Sequence, residues 1–299
     1  MQALGRALVA LAFALAGSTA WAAPQCSLAP PAPGPALLVP PGVRIGLALG
    51  SGSMHGYAHV GVLQELEARG LPVHVVSGTS VGALVGSLWA SGLSAAAIDA
   101  LAGREDFDLS QVSASWQGLY SNEPMRSPLE AAFRGRPIET WPRRFGAVAT
   151  EFSHGERRLL SSGDGALAVR ASSAVPVLFM PVTVRGERLV DGALVEPVPV
   201  DAARDLGANL VIAVDVAYRP HEEAASGLTA HAFQSLHILV NSLAASQSRT
   251  ADVAIRLNLH QRWKDCGREG LVAAGRHAVA AAWPEIQREI LARSAKAPR

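Results

Sequence analysis

The sequence predicts an α/β fold built on a mainly parallel central sheet. Three observations predict it. Short runs of β-branched and aliphatic residues recur at strand length. Small-residue turns follow the first two of them. Each of those turns leads directly into a helical pattern, giving the order β-loop-α-β-turn-α.

The chain has 299 residues, about half of them apolar, and a formal net charge of +1. That is enough chain for one large domain with its own core. The near-zero charge gives no global field for nucleic acid or anionic surfaces, and no run of like charges marks an interaction tail.

The first 22 residues read as a secretory signal peptide. Arg6 supplies a positive start, Ala7 to Ala16 an apolar stretch, and Ala20-Trp21-Ala22 an A-x-A cleavage site. The apolar run is too short to span a bilayer, which needs about 20 residues. The alternative is a buried N-terminal helix. Cleavage near Ala22/Ala23 would give an exported protein, periplasmic or secreted. Cys26 follows Ala23-Pro24-Gln25, which does not fit a lipoprotein site. Cys26 and Cys266 are the two cysteines. In an oxidising compartment they can pair, or they can remain two thiols; sequence alone leaves both open. Neither has a Cys/His neighbour, so no metal site is expected.

Residues 23–42 hold seven prolines and read as an extended linker. The domain is expected over 43–299, with no internal repeat. Val43 to Leu49 alternates aliphatic with small residues, as a buried strand does. Gly50 to Gly56 is a glycine- and serine-rich turn. Tyr57 to Arg69 is helical and stops at Gly70. Val73 to Val76 is a second buried strand, and Val81 to Ser91 a helix stopped by Gly92. Residues 103–144 carry Trp116, Tyr120, Phe133 and Trp141 among prolines and glycines. They either cover a site or form a structural insertion. Phe145 to Phe152 with Arg157 to Ser161, and Val182 to Val184 with Arg188 to Val190, read as hairpins. Ala166 to Ser173 is helical, and Asn209 to Val216 is another buried strand. Helices are expected at His231 to Ser246 and Gly270 to Ala292.

Three features carry chemistry. Gly78-Thr79-Ser80-Val81-Gly82 has G-x-S-x-G spacing between a strand and a helix, the setting of a nucleophile elbow. Its bland reading is an N-cap serine. Gly50-Ser51-Gly52-Ser53-Met54-His55-Gly56 can present backbone N–H groups to an anion. A dinucleotide fingerprint fits poorly, because the G-x-G-x-x-x-G spacing is one residue too long and no acid follows near Leu71 to Val75. A P-loop lacks its Gly-Lys-Ser/Thr. Asp191-Gly192-Ala193 places an acid at a strand end, either as a base for Ser80 or as a solvated turn residue.

The glycine-rich loop, G-T-S-V-G and D-G-A, in that order, resemble the three motifs of the patatin-like phospholipase family. The stretches IGLALGSG, AHVGVLQEL, VVSGTSVGALVGSLWASG and LVDGALVEPVPV are similar to its bacterial branch. The resemblance runs from about Arg44 to about Val216. It implies a three-layer patatin-like fold with helices on both faces of the sheet. It implies a lipid acyl hydrolase, phospholipase A- or lysophospholipase-like, with Ser80 as nucleophile and Asp191 as its base. The amides of Ser51, Gly52 and Ser53 would bind the oxyanion; Gly50, His55, Gly56, Gly78, Gly82 and Gly192 support the motifs. It implies no cofactor and a lipid or ester substrate at a membrane surface.

One departure stands out. The family usually has Arg or Lys where His55 stands, so a permanent charge gives way to a group that titrates near neutrality. His59 reads as a packing or hydrogen-bonding residue. His221, His231, His237, His260 and His277 follow Asp191, so a Ser…Asp…His order is formally available. The rival functions are a carboxylesterase or acyltransferase of the same fold, a catalytically silent lipid-binding protein, and a nucleotide-binding protein.

Overall fold

Aliphatic residues on both faces of a strand need cover on both sides, and the strands of this sheet receive it. The computed structural model describes Cys26 and residues 37–104, 113–114, 120–217 and 227–294. Residues 1–22, expected to be a signal peptide, and Trp116 and His221 lie outside the described residues.

The strands are β1 (Ile45–Leu49), β2 (Val75–Thr79), β3 (Ser113–Ala114), β4 (Tyr120–Ser121), β5 (Arg144–Glu151), β6 (Arg157–Leu160), β7 (Val182–Val184), β8 (Glu187–Asp191), β9 (Leu210–Asp215) and β10 (Val253–Arg256). The helices are α1 (Tyr57–Ala68), α2 (Val81–Ala90), α3 (Ala95–Ala102), α4 (Arg126–Phe133), α5 (Gly165–Ser172), α6 (Val200–Asp205), α7 (Leu228–Ser248) and α8 (His260–Ser294). The main sheet has eight strands along the path β10-β9-β1-β2-β5-β8-β7, with β6 also on β5. Pairing is parallel from β10 to β5 and antiparallel among β5, β6, β7 and β8.

Alternation along each strand divides the core. Ile45, Leu47 and Leu49 of β1 and Ile212 and Val214 of β9 face α1, α2 and α8. Ala48, Val211 and Ala213 face the other way, toward α6 and Ala244 of α7. Leu37 and Val39, at the end of the proline-rich segment, pack on the first of these cores. A Cys26–Cys266 disulfide ties that segment to α8. The chain departs from helical geometry at Gly267 (φ 55°, ψ −146°), one residue after the disulfide. That break accounts for a C-terminal helix expected only from Gly270.

The helices α1 and α8 lie in close contact. A Cβ on Gly61 would sit 1.9 Å from the Val272 carbonyl oxygen, and one on Gly275 2.0 Å from that of Ala58. Glycine at both positions is what lets the two backbones touch.

Candidate functional site

Register builds this site. β5 has two edges and three partners. Ala147 pairs with both Gly78 of β2 and Leu160 of β6, so β2 and β6 lie on opposite edges. Ala149 pairs with both Asp191 of β8 and Arg158 of β6, so β8 lies on the same edge as β2. β2 ends with Thr79 opposite Val148, and β8 ends with Asp191 opposite Ala149. The two strands therefore meet end to end, which brings Ser80 to Asp191.

Ser80 occupies the turn between β2 and α2 at φ 55° and ψ −123°, a backbone conformation that non-glycine residues rarely adopt. Its side chain makes no capping bond to α2. The hydroxyl instead lies near the Asp191 carboxylate, close enough to lower its pKa. The Ser80 N–H donates to Ser172 Oγ at 3.0 Å, and that hydroxyl donates to the Val148 carbonyl at 2.6 Å. Ser172 thus fastens the strained turn to β5. Nothing in the sequence around Ser172 marks it, because the contact joins distant elements.

Tight packing surrounds the turn. A Cβ on Gly82 would lie 2.0 Å from the Leu49 carbonyl oxygen, and one on Gly78 2.4 Å from Ala83. Gly56 approaches Val81, and Gly192 the Val148 carbonyl, as closely. The start of α2 is thereby pressed onto β1, with its N-terminal N–H groups and positive dipole end beside the Ser80 hydroxyl.

Asp191 is held at three points. Its N–H donates to Ala174 at 2.9 Å, its carbonyl accepts from Thr150 Oγ1 at 2.8 Å, and its Oδ1 accepts from the Ala193 N–H at 2.8 Å. Burial is the largest influence on the carboxyl and raises its pKa to about 6; the nearby Ser80 hydroxyl and the Ala193 N–H oppose it. The solvated-turn reading does not hold, since Asp191 is 3% exposed.

The loop between β1 and α1 is pinned at its start. The Gly50 N–H donates to Val214 at 2.9 Å, and the Gly50 carbonyl accepts from His59 Nε2 at 2.8 Å. The Ser51 N–H donates to the Pro197 carbonyl at 2.8 Å. That corrects the expectation for Ser51, whose amide is already occupied within the fold. Gly52 and Ser53, both on the cavity wall, are the expected amides left to face a ligand. His55 is buried, with Nδ1 3.1 Å from the Val216 carbonyl oxygen. Since a carbonyl only accepts, Nδ1 is the donor there. Burial lowers the His59 pKa to about 4, against the bond to Gly50 and the attraction of Asp215.

A cavity of about 1060 Å³ opens over the carboxyl ends of β1 and β2, the usual place for a ligand in such sheets. Ser80, Asp191, Gly52 and Ser53 lie at its polar end. Val81, Leu84, Val85 and Leu88 line it along one stripe of α2. Phe233, Leu236, His237 and Val240 line it along a matching stripe of α7. Gly103, Arg104, Tyr120 and Met125 also reach it, whereas Phe133 and Trp141 stack in the core with Phe145. So the described part of 103–144 divides between lining and structure. Of the later histidines, His237 reaches the cavity and His231 is exposed on α7. The side chain of His260 lies outside the description. Among the described residues no metal-binding cluster of His, Cys, Asp or Glu gathers.

A family model described as Patatin-like phospholipase matches residues 47–204. The chain belongs to the patatin-like phospholipase family. It is 35% identical over 176 residues to an uncharacterised NTE-family protein of Mycobacterium tuberculosis, covering 58% of this chain and 49% of that protein. It is 31% identical over 185 residues to Lysophospholipase NTE1 of Yarrowia lipolytica, covering 58% of this chain and 13% of that one. The patatin-like chain thus spans half or less of the length of these relatives. Among solved structures, the type III effector ExoU aligns with TM-score 0.45 at 18% identity, over 85% of this chain and 54% of its own. VipD of Legionella pneumophila aligns with TM-score 0.41 at 19% identity, over 61% of this chain and 52% of its own.

Proposed function

We propose that this chain is a serine lipid acyl hydrolase of the phospholipase A or lysophospholipase kind, using a Ser80–Asp191 dyad. The observation that carries the reading is the meeting of β2 and β8, which sets Ser80, on a strained turn, beside the buried Asp191 carboxylate at the end of an apolar cavity. An acyl chain lies between the α2 and α7 stripes, with its ester carbonyl at Ser80. Ser80 Oγ attacks that carbon, and the Ser80 proton passes to the Asp191 carboxylate. The amides of Gly52 and Ser53, with the N-terminus of α2, stabilise the oxyanion. Collapse of the tetrahedral adduct breaks the ester C–O bond, and Asp191 returns the proton to the leaving alcohol. Water then enters, gives a proton to Asp191 and attacks the acyl-enzyme. The second collapse releases the fatty acid, and Ser80 recovers its proton. This chemistry requires no histidine.

The test is fluorophosphonate labelling of the purified protein beside Ser80→Ala and Asp191→Asn. Labelling of the wild type alone supports the dyad; an unlabelled, folded wild type refutes it. We also propose export, on the strength of residues 1–22. The N-terminal sequence of the exported product should then begin near Ala23.

A further inference from the structure

Nine large apolar side chains are exposed among the described residues, and their distribution is uneven. Three stand on α7: Leu228, Ile238 and Leu239. Three more, Met54, Tyr120 and Val177, stand at the cavity rim or beside residues that line it. Val177 is half exposed at φ 71°, a strained conformation for a β-branched residue, between the cavity-lining Pro176 and Leu178. Of the remaining three, Phe152 has the Arg188 guanidinium over its ring. Six of the nine thus stand on α7, which walls the cavity, or at and beside its lining, more than chance scatter on a soluble surface.

The α7 helix explains the concentration. It carries no Asp, Glu, Lys or Arg in 21 residues. Its inner stripe lines the cavity, and its outer stripe carries Leu228, Ile238 and Leu239 with His231 and Ser235 between. Its C-terminal end is fastened to the fold. Ala244 and Ser248 are buried there, and Gln247 bonds the Val195 carbonyl (2.9 Å) and the Val198 N–H (3.2 Å). From Leu228 to Leu243 no described side chain is buried. No helix among the described residues is long and apolar enough to cross a membrane. A helix without Asp, Glu, Lys or Arg that leaves large apolar side chains exposed can bury them at a lipid–water interface.

We propose that the N-terminal three to four turns of α7, with the rim around Met54, Tyr120 and Val177, form a surface that inserts into a neutral lipid–water interface. Acyl chains then pass from the interface directly between α7 and α2. The inference rests on the acyl-hydrolase reading and adds the surface through which substrate arrives. Because α7 offers no Lys or Arg, insertion is driven by apolar burial and not by attraction to anionic head groups.

The experiment is co-sedimentation with phosphatidylcholine vesicles, for the wild type and a Leu228→Ser/Ile238→Ser/Leu239→Ser variant. Wild-type binding should persist in about 0.5 M NaCl, where surface electrostatics are screened. It should change little when phosphatidylglycerol replaces part of the phosphatidylcholine. The triple variant should lose about tenfold or more in vesicle binding and in vesicle hydrolysis. Its hydrolysis of a soluble short-chain ester should stay within about twofold of wild type, since none of the three side chains lines the cavity. Undiminished binding by the triple variant overturns the proposal, as does binding that needs anionic lipid and vanishes in salt. An Ile238→Cys variant gives an independent reading, because both native cysteines are in the disulfide. An environment-sensitive fluorophore there should shift to the blue on phosphatidylcholine vesicles; an unshifted spectrum refutes insertion. Absent fluorophosphonate labelling with intact vesicle binding would instead refute the dyad and leave the surface standing.

Discussion

His59 Nε2 donates to the carbonyl oxygen of Gly50 across 2.8 Å, from inside helix α1 to the first residue of the glycine-rich loop. With the Ser51 N–H on Pro197, it fixes both sides of the Gly50–Ser51 peptide. The next two amides, those of Gly52 and Ser53, inherit that orientation. His59→Leu should therefore lower kcat by about tenfold or more with little change in KM, as for a misplaced oxyanion donor. His59→Gln, which retains an N–H donor, should recover part of the loss. Equal kcat in wild type and His59→Leu would remove His59 from the positioning of this loop.

The same imidazole makes stability depend on pH. Folding lowers its pKa to about 4, chiefly by burial, from an ordinary value near 6.5. The unfolded chain takes up the proton first as pH falls. The stability associated with His59 is thus intact above about pH 6.5 and declines down to about pH 4, by up to about 3 kcal/mol. Urea titrations of wild type and His59→Leu across that range would show the steeper decline in the wild type.

Asp191 has the opposite sign. Folding raises its pKa to about 6, because burial disfavours the carboxylate. Its contribution favours the folded state at acid pH and is lost as pH rises through about 6. Two outcomes follow. The acid limb of kcat/KM should have a midpoint near pH 6, where the base becomes protonated. Asp191→Asn should abolish fluorophosphonate labelling while raising stability at pH 8 by about 1–3 kcal/mol. A destabilised Asp191→Asn protein would show that the carboxylate is not held at a cost.

Ser172→Ala removes the acceptor of the Ser80 N–H and leaves a buried donor unpaired, a loss of about 1–3 kcal/mol in stability. The labelling rate of Ser80 should fall as well, since the turn loses its tie to Val148. An unchanged labelling rate in a folded Ser172→Ala protein would confine Ser172 to a structural role.

Leu88 lies seven residues past Val81 on the cavity stripe of α2, about 10 Å along the helix. Leu88→Trp should shorten the space for an acyl chain. The ratio of long-chain to short-chain ester hydrolysis should fall by about tenfold, with short-chain rates nearly unchanged. A constant ratio would place the acyl chain elsewhere.

Much of this arrangement is legible in the sequence where turn chemistry is local. Gly50 to Gly56, the Ser80 turn, and the glycine stops at Gly70 and Gly92 mark β1, α1 and α2 to within two residues and β2 to within three. The start of β2 shifts from Val73 to Val75, and the His74 side chain just ahead of it accepts from the Ile45 N–H. Short elements escape for lack of periods to count: β10 has four residues, and α6 has six. The α7 helix is longer than its pattern suggests, since its first turns are half exposed and carry no cap signal. Ser51 misleads because a motif names an amide without saying which way it points. Ser172 and the α7 wall are invisible because distant segments bring them to the site.

The meeting of β2 and β8 along one edge of β5 works like two marks on a common scale. Asp191 is positioned by its count of residues from Val148, not by the path the chain takes to reach it. Forty-two residues separate Val148 from Asp191, and they leave and return to the same strand. Length could be added at the Ser153-His154-Gly155 turn without moving the carboxylate. A slip of one residue between β5 and β8 would shift it by about 3.4 Å and turn it to the opposite face of the sheet. The tolerance of the loops and the intolerance of the register are two aspects of the same ladder.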